Sequence, residues 1–162
     1  RAYQVQPRRG LLWGMTAILG MTLAAPALLP NRPADATNSS ASYWVEFDRS
    51  RIAREVSQGK TVFVDVTADW CITCKANKTL VLDREPVLGA LGEEGVIAMR
   101  ADWTRPDAKI QSYLEAHSRY AIPLNIVYGP DAPEGIILSE LLSADAVLEA
   151  LSAANLSAVR KR

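Results

Sequence analysis

Residues 61–75 read TVFVDVTADWCITCK, and this stretch contains the transition that decides the fold. Its first part, 61–67, is rich in β-branched and aromatic residues, which is typical of a short strand. A helical pattern is expected from 72 to 82, so Cys71 and Cys74 fall where the strand gives way to a helix. Residues three apart are neighbours on a helix, which brings the two sulfurs within bonding distance. The spacing predicts a reversible disulfide at the start of a helix.

The position of each cysteine predicts its part in disulfide exchange. Cys71 would lie at the helix N-terminus, where unpaired N–H groups and the helix dipole stabilise a thiolate, and the thiolate is the form that attacks a disulfide. Lys75 is expected to add positive charge nearby. Cys74, one turn inside, is expected to be shielded and to act second, when it displaces the product from the mixed disulfide.

Two other uses of the cysteine pair are weighed against redox chemistry. A C-x-x-C pair can be half of a zinc or copper site, but His117 is the one histidine of the chain and lies forty-three residues after Cys74. We therefore expect no metal and no bound cofactor beyond the disulfide itself. An inert structural bridge that closes so small a loop would stabilise little. The aromatic neighbour Trp70 and the strand-to-helix position favour redox chemistry.

Asp65 lies six residues before Cys71, in the middle of an otherwise apolar strand. A buried carboxylate is costly unless it has a task or a partner. Its predicted task is to accept the proton of the Cys74 thiol, directly or through a water molecule. The alternative is a carboxylate that faces solvent at the end of the strand.

Pro123 follows Ile122 immediately before a predicted strand over 124–128. If the bond between these two residues is cis and faces the cysteines, their backbone groups are free to pair with an extended substrate segment. The alternative is an ordinary trans proline that opens a strand. The sequence alone favours trans, since about 5–6% of X–Pro bonds are cis.

Strands and helices alternate through the rest of the chain, which predicts an α/β domain with a central sheet whose last two strands form an antiparallel edge. The predicted helices are 44–56, which Gly59 ends, 107–117 and 144–151, with a further turn or short helix over 86–91. The predicted strands besides 61–67 are 96–101, 124–128 and 135–142.

Composition limits the function classes. The chain has 162 residues, equal numbers of basic and acidic residues, 49% apolar residues and 22% charged residues. A net charge of zero disfavours nucleic acid as a partner, because such binding depends on phosphate neutralisation. From residue 44 onward there are fourteen basic and seventeen acidic residues, so the folded part is mildly acidic.

Residues 11–29 form a run of nineteen residues without charge, preceded by Arg8 and Arg9. This length nearly crosses a hydrocarbon core of about 30 Å and predicts a transmembrane helix; a cleavable export signal is the alternative. Either way, the positive-inside rule puts the chain beyond 29 on the outer face. The predicted organisation is listed in chain order: 1–10 a cytoplasmic-side flank, 11–29 the transmembrane helix, 30–42 a flexible linker, 43–155 the folded domain and 156–162 a C-terminal tail.

The strings VDVTADWCITCK, at 64–75, and AIPLNIVY, at 121–128, resemble the active-site strand and the cis-proline loop of the thioredoxin superfamily. More closely, they resemble the C-terminal periplasmic domain of the DsbD family of membrane thiol:disulfide interchange proteins. The resemblance extends from about Tyr43 to Leu151. It implies a thioredoxin-like fold, a mixed sheet flanked by helices, preceded by the last transmembrane helix of the family.

The resemblance implies a role for each candidate site residue. Cys71 would be the attacking cysteine and Cys74 the resolving one, with Asp65 as the buried carboxylate. Pro123 would be the cis proline, and with Trp70 and Ile122 it would contact the substrate, while Lys75 gives electrostatic support. Two departures from the family pattern are Lys78, where some members carry a second acidic residue, and Leu124-Asn125, where a threonine is commoner after the proline.

The resemblance also implies partners and a location. The domain would accept electrons from cysteines of a membrane domain and pass them to periplasmic thiol/disulfide proteins, in support of isomerases or cytochrome c biogenesis, at the bacterial inner membrane. A thiol oxidase or isomerase of the same fold is the alternative within redox chemistry, and the reduction potential distinguishes the two. A copper or assembly chaperone that uses the cysteines as ligands is the alternative outside it.

Overall fold

The structure, a computed structural model of the chain, describes residues 43–156. The helices and strands of this part alternate as the sequence predicts. In chain order they are β1 (Trp44–Glu46), α1 (Arg49–Ser57), β2 (Thr61–Thr67), α2 (Ile72–Asn77), a π-helical turn (Lys78–Leu82), α3 (Val87–Leu91), β3 (Val96–Asp102), α4 (Ala108–Ala116), β4 (Leu124–Gly129), β5 (Ala132–Ile137) and α5 (Ala144–Ala154).

The strands form one mixed sheet in the order β1-β3-β2-β4-β5. β1, β3 and β2 run parallel, whereas β4 and β5 are antiparallel to their neighbours, which confirms the predicted antiparallel edge. β2 is the central strand and is buried from Thr61 to Val66. The residues that follow β2 are therefore anchored to the most buried strand of the domain.

Side chains of β2 alternate between the two faces of the sheet, as the two-residue period of a strand requires. Val62, Val64 and Val66 pack in a core with residues of α1 and α4. Phe63 packs on the other face with residues of α3 and α5. Asp65 comes two residues after Phe63, so its side chain points to the same face of the sheet, which also carries α2. The fold is a sheet between two layers of helices.

The predicted first helix, 44–56, is partly wrong. Trp44–Glu46 is an edge strand whose Val45 pairs with Met99 of β3, and the helix begins only after Asp48. The Asp48 carboxylate accepts a hydrogen bond from Ser50 N at 2.9 Å and so caps α1. Trp44 and Phe47 lie three residues apart, which matches a helical spacing by coincidence, because a strand of three residues is too short to distinguish the two periods.

The predicted last strand, 135–142, is displaced. β5 runs from Ala132 to Ile137, because a tight turn after Gly129 pairs it at once with β4. Beyond β5 the chain leaves the sheet edge, and buried Leu142 donates its N–H to the side-chain oxygen of Asn77 at 3.0 Å. The edge position explains why Pro133 is tolerated within β5.

The predicted flank 1–10, the transmembrane helix 11–29 and the linker 30–42 lie outside the described residues, as does 157–162 of the predicted tail. Within 43–156 there is no helix with the length and apolar character needed to cross a membrane.

Phe63 is fully buried and its ring meets the ring of Trp44 at a centroid distance of 6.1 Å. We expect Phe63→Ala to lower the free energy of unfolding by about 3–5 kcal/mol, because it leaves a cavity in the core. Phe63→Leu keeps most of the volume and should cost less. Ile72→Ala, at a side chain that is 84% exposed, is the control and should change stability by less than about 0.5 kcal/mol. Urea denaturation measures all three, and equal losses for Phe63→Ala and Ile72→Ala would contradict the assigned core.

Candidate active site

Cys71 and Cys74 form a disulfide, with their Cα atoms 5.3 Å apart. Cys71 is the N-cap residue of α2, and its sulfur accepts a hydrogen bond from the backbone N–H of Cys74 at 3.1 Å. An N–H aimed at this sulfur favours negative charge on it. The expected difference in shielding is not seen in the oxidised form, where Cys71 is 6% exposed and Cys74 4%. The short hydrogen-bonded turn that closes the disulfide buries both sulfurs.

The local sequence explains this turn. β2 ends at Thr67, and Cys71 N donates to Ala68 O at 3.1 Å, which folds residues 68–71 back on the strand. Lys75 N then donates to Cys71 O at 3.1 Å, so helical hydrogen bonding begins at the cysteine itself. The ammonium group of Lys75 forms no ion pair with any described residue, and Lys75 lines a cavity behind the disulfide.

Ile122 packs against Ala68 and both cysteines, so the loop before β4 reaches the disulfide. The Ile122–Pro123 peptide bond is cis, which is the conformation that the resemblance implies and the sequence alone disfavours. Pro123 is buried at the start of β4. A second cis proline bond, Glu85–Pro86, which the sequence analysis did not predict, precedes α3.

Asp65 is 5% exposed, so the alternative of a solvent-facing carboxylate is wrong. It is paired in register with Arg100 of β3 and with Asn125 of β4. Asn125 Nδ2 donates to Asp65 Oδ1 at 3.0 Å, and Arg100 Nε donates to Asp65 Oδ2 at 3.4 Å. These three side chains form one polar row across the three central strands. Arg100 was missed by sequence reasoning, although it is the single charged residue in the otherwise apolar run 96–101.

Burial raises the pKa of Asp65 above its usual range, because desolvation disfavours the charged carboxylate. The Arg100 cation, the Asn125 amide and, more weakly, the Lys78 cation lower the pKa, but they do not cancel the effect of burial. Arg100 is held in place by Trp44, because its guanidinium carbon lies 3.9 Å from the centre of the Trp44 ring. The proton affinity of the Asp65 carboxyl group therefore depends on burial, which raises its pKa, and on the ion pair with Arg100, which lowers it.

Asp65 and Cys74 line the same cavity of about 530 Å³. Its exposed rim includes Lys78, and its interior includes Asp83 and Arg100. Buried Asp83 Oδ1 and Arg100 Nη2 have no hydrogen-bond partner among the described residues. A polar cavity of this size accommodates water with several partners. The carboxyl group and the inner sulfur thus share a solvent-accessible polar space.

Three large apolar side chains are exposed on segments that lead to the disulfide or to its neighbour Ile122. Trp70 is 59% exposed, Ile72 84% and Tyr120 80%. Trp70 precedes Cys71, Ile72 begins α2, and Tyr120 lies in the loop that leads to Ile122. Sequence reasoning singled out Trp70 and missed Tyr120, for which the run of polar residues at 117–119 gave no signal. Exposed apolar side chains such as Trp70 and Ile72, which flank Cys71 in sequence, are typical of a surface that contacts another protein.

His117 lies far from the cysteines in the fold. It is the C-cap of α4, and its Nε2 is 3.0 Å from the Tyr128 hydroxyl on the opposite face of the sheet. Tyr128 in turn bonds Tyr113 at 2.7 Å, so the imidazole belongs to a structural hydrogen-bond chain. The part of the chain from 43 to 156 holds no group of three or more His, Cys, Asp or Glu that could bind a metal.

A cysteine pair at the N-terminus of the helix that follows the central strand, packed against the residue before a cis proline, defines a thiol–disulfide site of the thioredoxin-like class. The chain belongs to the thioredoxin-like family, whose sequence model matches residues 44–130. The sheet order and the position of the disulfide confirm the predicted thioredoxin-like fold.

Curated relatives share this domain. The chain is 30% identical over 137 residues to the thiol:disulfide interchange protein DsbD 2 of Pseudomonas aeruginosa, covering 76% of this chain and 23% of the relative. It is 28% identical over 120 residues to DsbD of Vibrio cholerae, covering 69% and 20%. The chain thus spans less than a quarter of the length of these relatives. The crystal structure of the oxidised C-terminal domain of Neisseria meningitidis DsbD matches with a TM-score of 0.50 at 24% identity, covering 62% of this chain and 86% of that one, which supports the fold.

The raised pKa of Asp65 predicts a pH dependence of stability. The folded state holds the proton more tightly than the unfolded chain, so ionisation of Asp65 opposes folding as the pH rises above the usual carboxyl range. Asp65→Asn should therefore increase the free energy of unfolding at pH 7 and change it little at pH 3. Urea denaturation at the two pH values measures this. Glu94→Gln, at an exposed position, is the control, and a gain for Asp65→Asn that is equal at both pH values would contradict the assignment.

The cations around Asp65 predict an order of effects on its pKa. Arg100→Met removes the larger opposing charge and should raise the pKa of Asp65 further, whereas Lys78→Met should raise it less. Carboxylate carbon NMR titration of Asp65 in the reduced protein measures both shifts. A larger shift for Lys78→Met than for Arg100→Met would show that the ion pair does not dominate.

Proposed function

We propose that the chain is a thiol:disulfide oxidoreductase that passes electrons through the Cys71–Cys74 pair to partner proteins. The observation that carries the proposal is the disulfide at the N-terminus of α2, with buried Asp65 behind it and Ile122 against it. Membership of the thioredoxin-like family and the similarity to DsbD proteins named for thiol:disulfide interchange support it. No bound cofactor takes part, because the two transferred electrons are carried by the reduced Cys71 and Cys74 thiols and are lost when the disulfide forms.

The first step is an attack by Cys71. In the reduced domain its thiolate, favoured by the N–H of Cys74 and the helix N-terminus, attacks one sulfur of the partner disulfide. The partner's sulfur–sulfur bond breaks, a mixed disulfide to Cys71 forms, and the other partner sulfur leaves as a thiolate that takes a proton from water. Trp70, Ile122 and Pro123 contact the partner beside this bond, and Lys75 adds positive charge near the reacting sulfurs.

The second step regenerates the internal disulfide. The Cys74 thiol gives its proton to the Asp65 carboxylate, directly or through water in the cavity that both groups line. The Cys74 thiolate then attacks the Cys71 sulfur, the mixed disulfide breaks, and the partner leaves with two electrons in its thiols. Asp65 loses the proton to solvent through the same cavity. Its raised pKa suits this task, since a carboxylate with higher proton affinity is a better acceptor for a thiol proton.

The direction of electron flow that we propose is outward. Cysteines of a membrane electron-transfer domain would reduce Cys71–Cys74, and the domain would reduce periplasmic thiol/disulfide proteins, including those of cytochrome c biogenesis. Residues 11–29 would span the bacterial inner membrane, 30–42 would serve as the tether, and the folded domain 43–155 would lie in the periplasm. The uncharged run behind Arg8 and Arg9 supports this arrangement.

Cysteine variants test the proposed chemistry. Wild-type chain should accelerate reduction of insulin disulfides by dithiothreitol, and Cys71→Ala should abolish the acceleration. Cys74→Ala should accumulate a mixed disulfide, because no second sulfur resolves it, and non-reducing electrophoresis should show an adduct that dithiothreitol removes. Asp65→Asn should slow release of the adduct in otherwise wild-type protein near neutral pH. An active Cys71→Ala variant, or a Cys74→Ala variant without an adduct, would refute the assigned order of the cysteines.

The reduction potential tests the direction. A reductant should equilibrate with glutathione at a potential nearer the value of about −270 mV for thioredoxin than that of about −120 mV for DsbA. The fraction of reduced Cys71–Cys74 in glutathione buffers, measured by thiol alkylation, gives the value. A potential near −120 mV would reverse the assignment in favour of the thiol oxidase.

A further inference from the structure

The loop after β3 contacts the residues that precede the disulfide. Asp69 N donates to Thr104 Oγ1 at 2.9 Å, and Trp70 Nε1 donates to the backbone oxygen of Thr104 at 3.3 Å. The ring of the neighbouring Trp103 lies 6.3 Å from that of Trp70, and the backbone N–H of Trp103 donates to Thr67 O at 2.7 Å. One short segment of the loop thus holds the backbone and the exposed aromatic side chain immediately before Cys71.

The hydroxyl group of Thr104 has a fixed direction. Thr104 N donates to Asp102 Oδ1 at 2.9 Å, and the hydroxyl bonds the same oxygen. These hydrogen bonds hold the pKa of Asp102 below its usual range, so the carboxylate is ionised at neutral pH and can only accept. The hydroxyl must donate to Asp102, which turns its lone pairs toward Asp69 N. A side chain without a hydroxyl cannot make both contacts.

The contacts of this loop bear on the orientation of the Trp70 indole. The indole is 59% exposed, so the core does not hold it, and its orientation depends on the hydrogen bond to Thr104 and on the Trp103 ring. An aromatic side chain that is already ordered pays less conformational entropy when a partner binds. Exposed tryptophan residues are also among the commonest anchors in protein interfaces.

We propose that Thr104 is a positioning residue for partner recognition, which holds Trp70 beside Cys71 in the orientation that a partner polypeptide contacts. This assignment rests on the proposed function, since it states how the same site binds its substrate. The ligand is a polypeptide disulfide and not a small one, because Trp70 lies beside the reactive sulfur and contacts only a ligand that extends beyond the sulfur–sulfur bond. The reaction at sulfur itself does not need Thr104.

The test compares Thr104→Val, which keeps the shape and removes the hydroxyl, with Thr104→Ser, which keeps the hydroxyl. For insulin reduction by the full chain, Thr104→Val should raise KM by about three- to tenfold with kcat nearly unchanged, as expected for one side chain that must be ordered on binding. Thr104→Ser should restore the wild-type KM. The rate with 2-hydroxyethyl disulfide, which does not reach Trp70, should be the same in all three proteins.

A spectroscopic readout does not depend on activity. The indole N–H of Trp70, assigned in nitrogen-15 NMR by its loss in Trp70→Phe, should exchange with water faster in Thr104→Val than in wild type and Thr104→Ser. If Thr104→Val does not fold, Trp70→Phe replaces it in the kinetic test, because it removes the indole N–H and keeps a ring against Trp103. That variant should show a rise in KM for insulin.

The outcomes separate the two proposals. An unchanged KM for insulin, in Thr104→Val or in the replacement variant, overturns the recognition role while the oxidoreductase stands. Equal losses toward insulin and 2-hydroxyethyl disulfide, not restored by serine, also overturn it, since they indicate general damage to the fold. A wild-type chain that reduces neither disulfide overturns the proposed function and the recognition role with it, whatever the indole signal shows.

Discussion

The chain passes from β2 to α2 within four residues, 68–71, and the site depends on this junction. β2 is the central strand and is buried on both faces, so its end has one position in the domain. The hydrogen bonds from Cys71 N to Ala68 O and from Cys74 N to Cys71 Sγ then fix the first turn of the helix relative to that end. The end of a buried strand and the first turn of a helix thus determine the position of Cys71. The environment of the Cys71 sulfur then depends on the side chains that the neighbouring strands place in register with β2.

The side chains in register with Asp65 of β2 are polar, and burying polar groups costs stability. Arg100, Asp65 and Asn125 lie in register across three strands whose other buried residues are mostly apolar. A buried ion pair returns little net stability, because desolvation offsets the attraction. Burial nevertheless raises the pKa of Asp65, and a raised proton affinity suits the role that we propose for it in resolving the mixed disulfide. Under that proposal, the polar row gives up stability for function.

The local features of this site could be predicted from the sequence, whereas features that depend on long-range pairing could not. The strand 61–67 and the cysteine spacing lie within fifteen consecutive residues, so strand period and helix geometry predict them directly. Arg100 becomes the partner of Asp65 through the parallel register of β2 with β3, which no local pattern encodes. Thr104 acts through a contact thirty-five residues away in sequence. The cis bond at Pro123 followed from family resemblance, since base rates for X–Pro bonds favour trans.

Two cations, Arg100 and Lys78, act on the carboxyl group of Asp65 behind the disulfide. The resemblance to the DsbD family implies that some members carry a second acidic residue where Lys78 stands. Two neighbouring carboxyl groups would each disfavour ionisation of the other, whereas a cation favours it. Here both Arg100 and Lys78 lower the pKa of Asp65 against the effect of burial. The carboxylate is therefore ionised at a lower pH than it would be beside a second acid. In the proposed mechanism, this extends to lower pH the range over which Asp65 can accept the Cys74 proton.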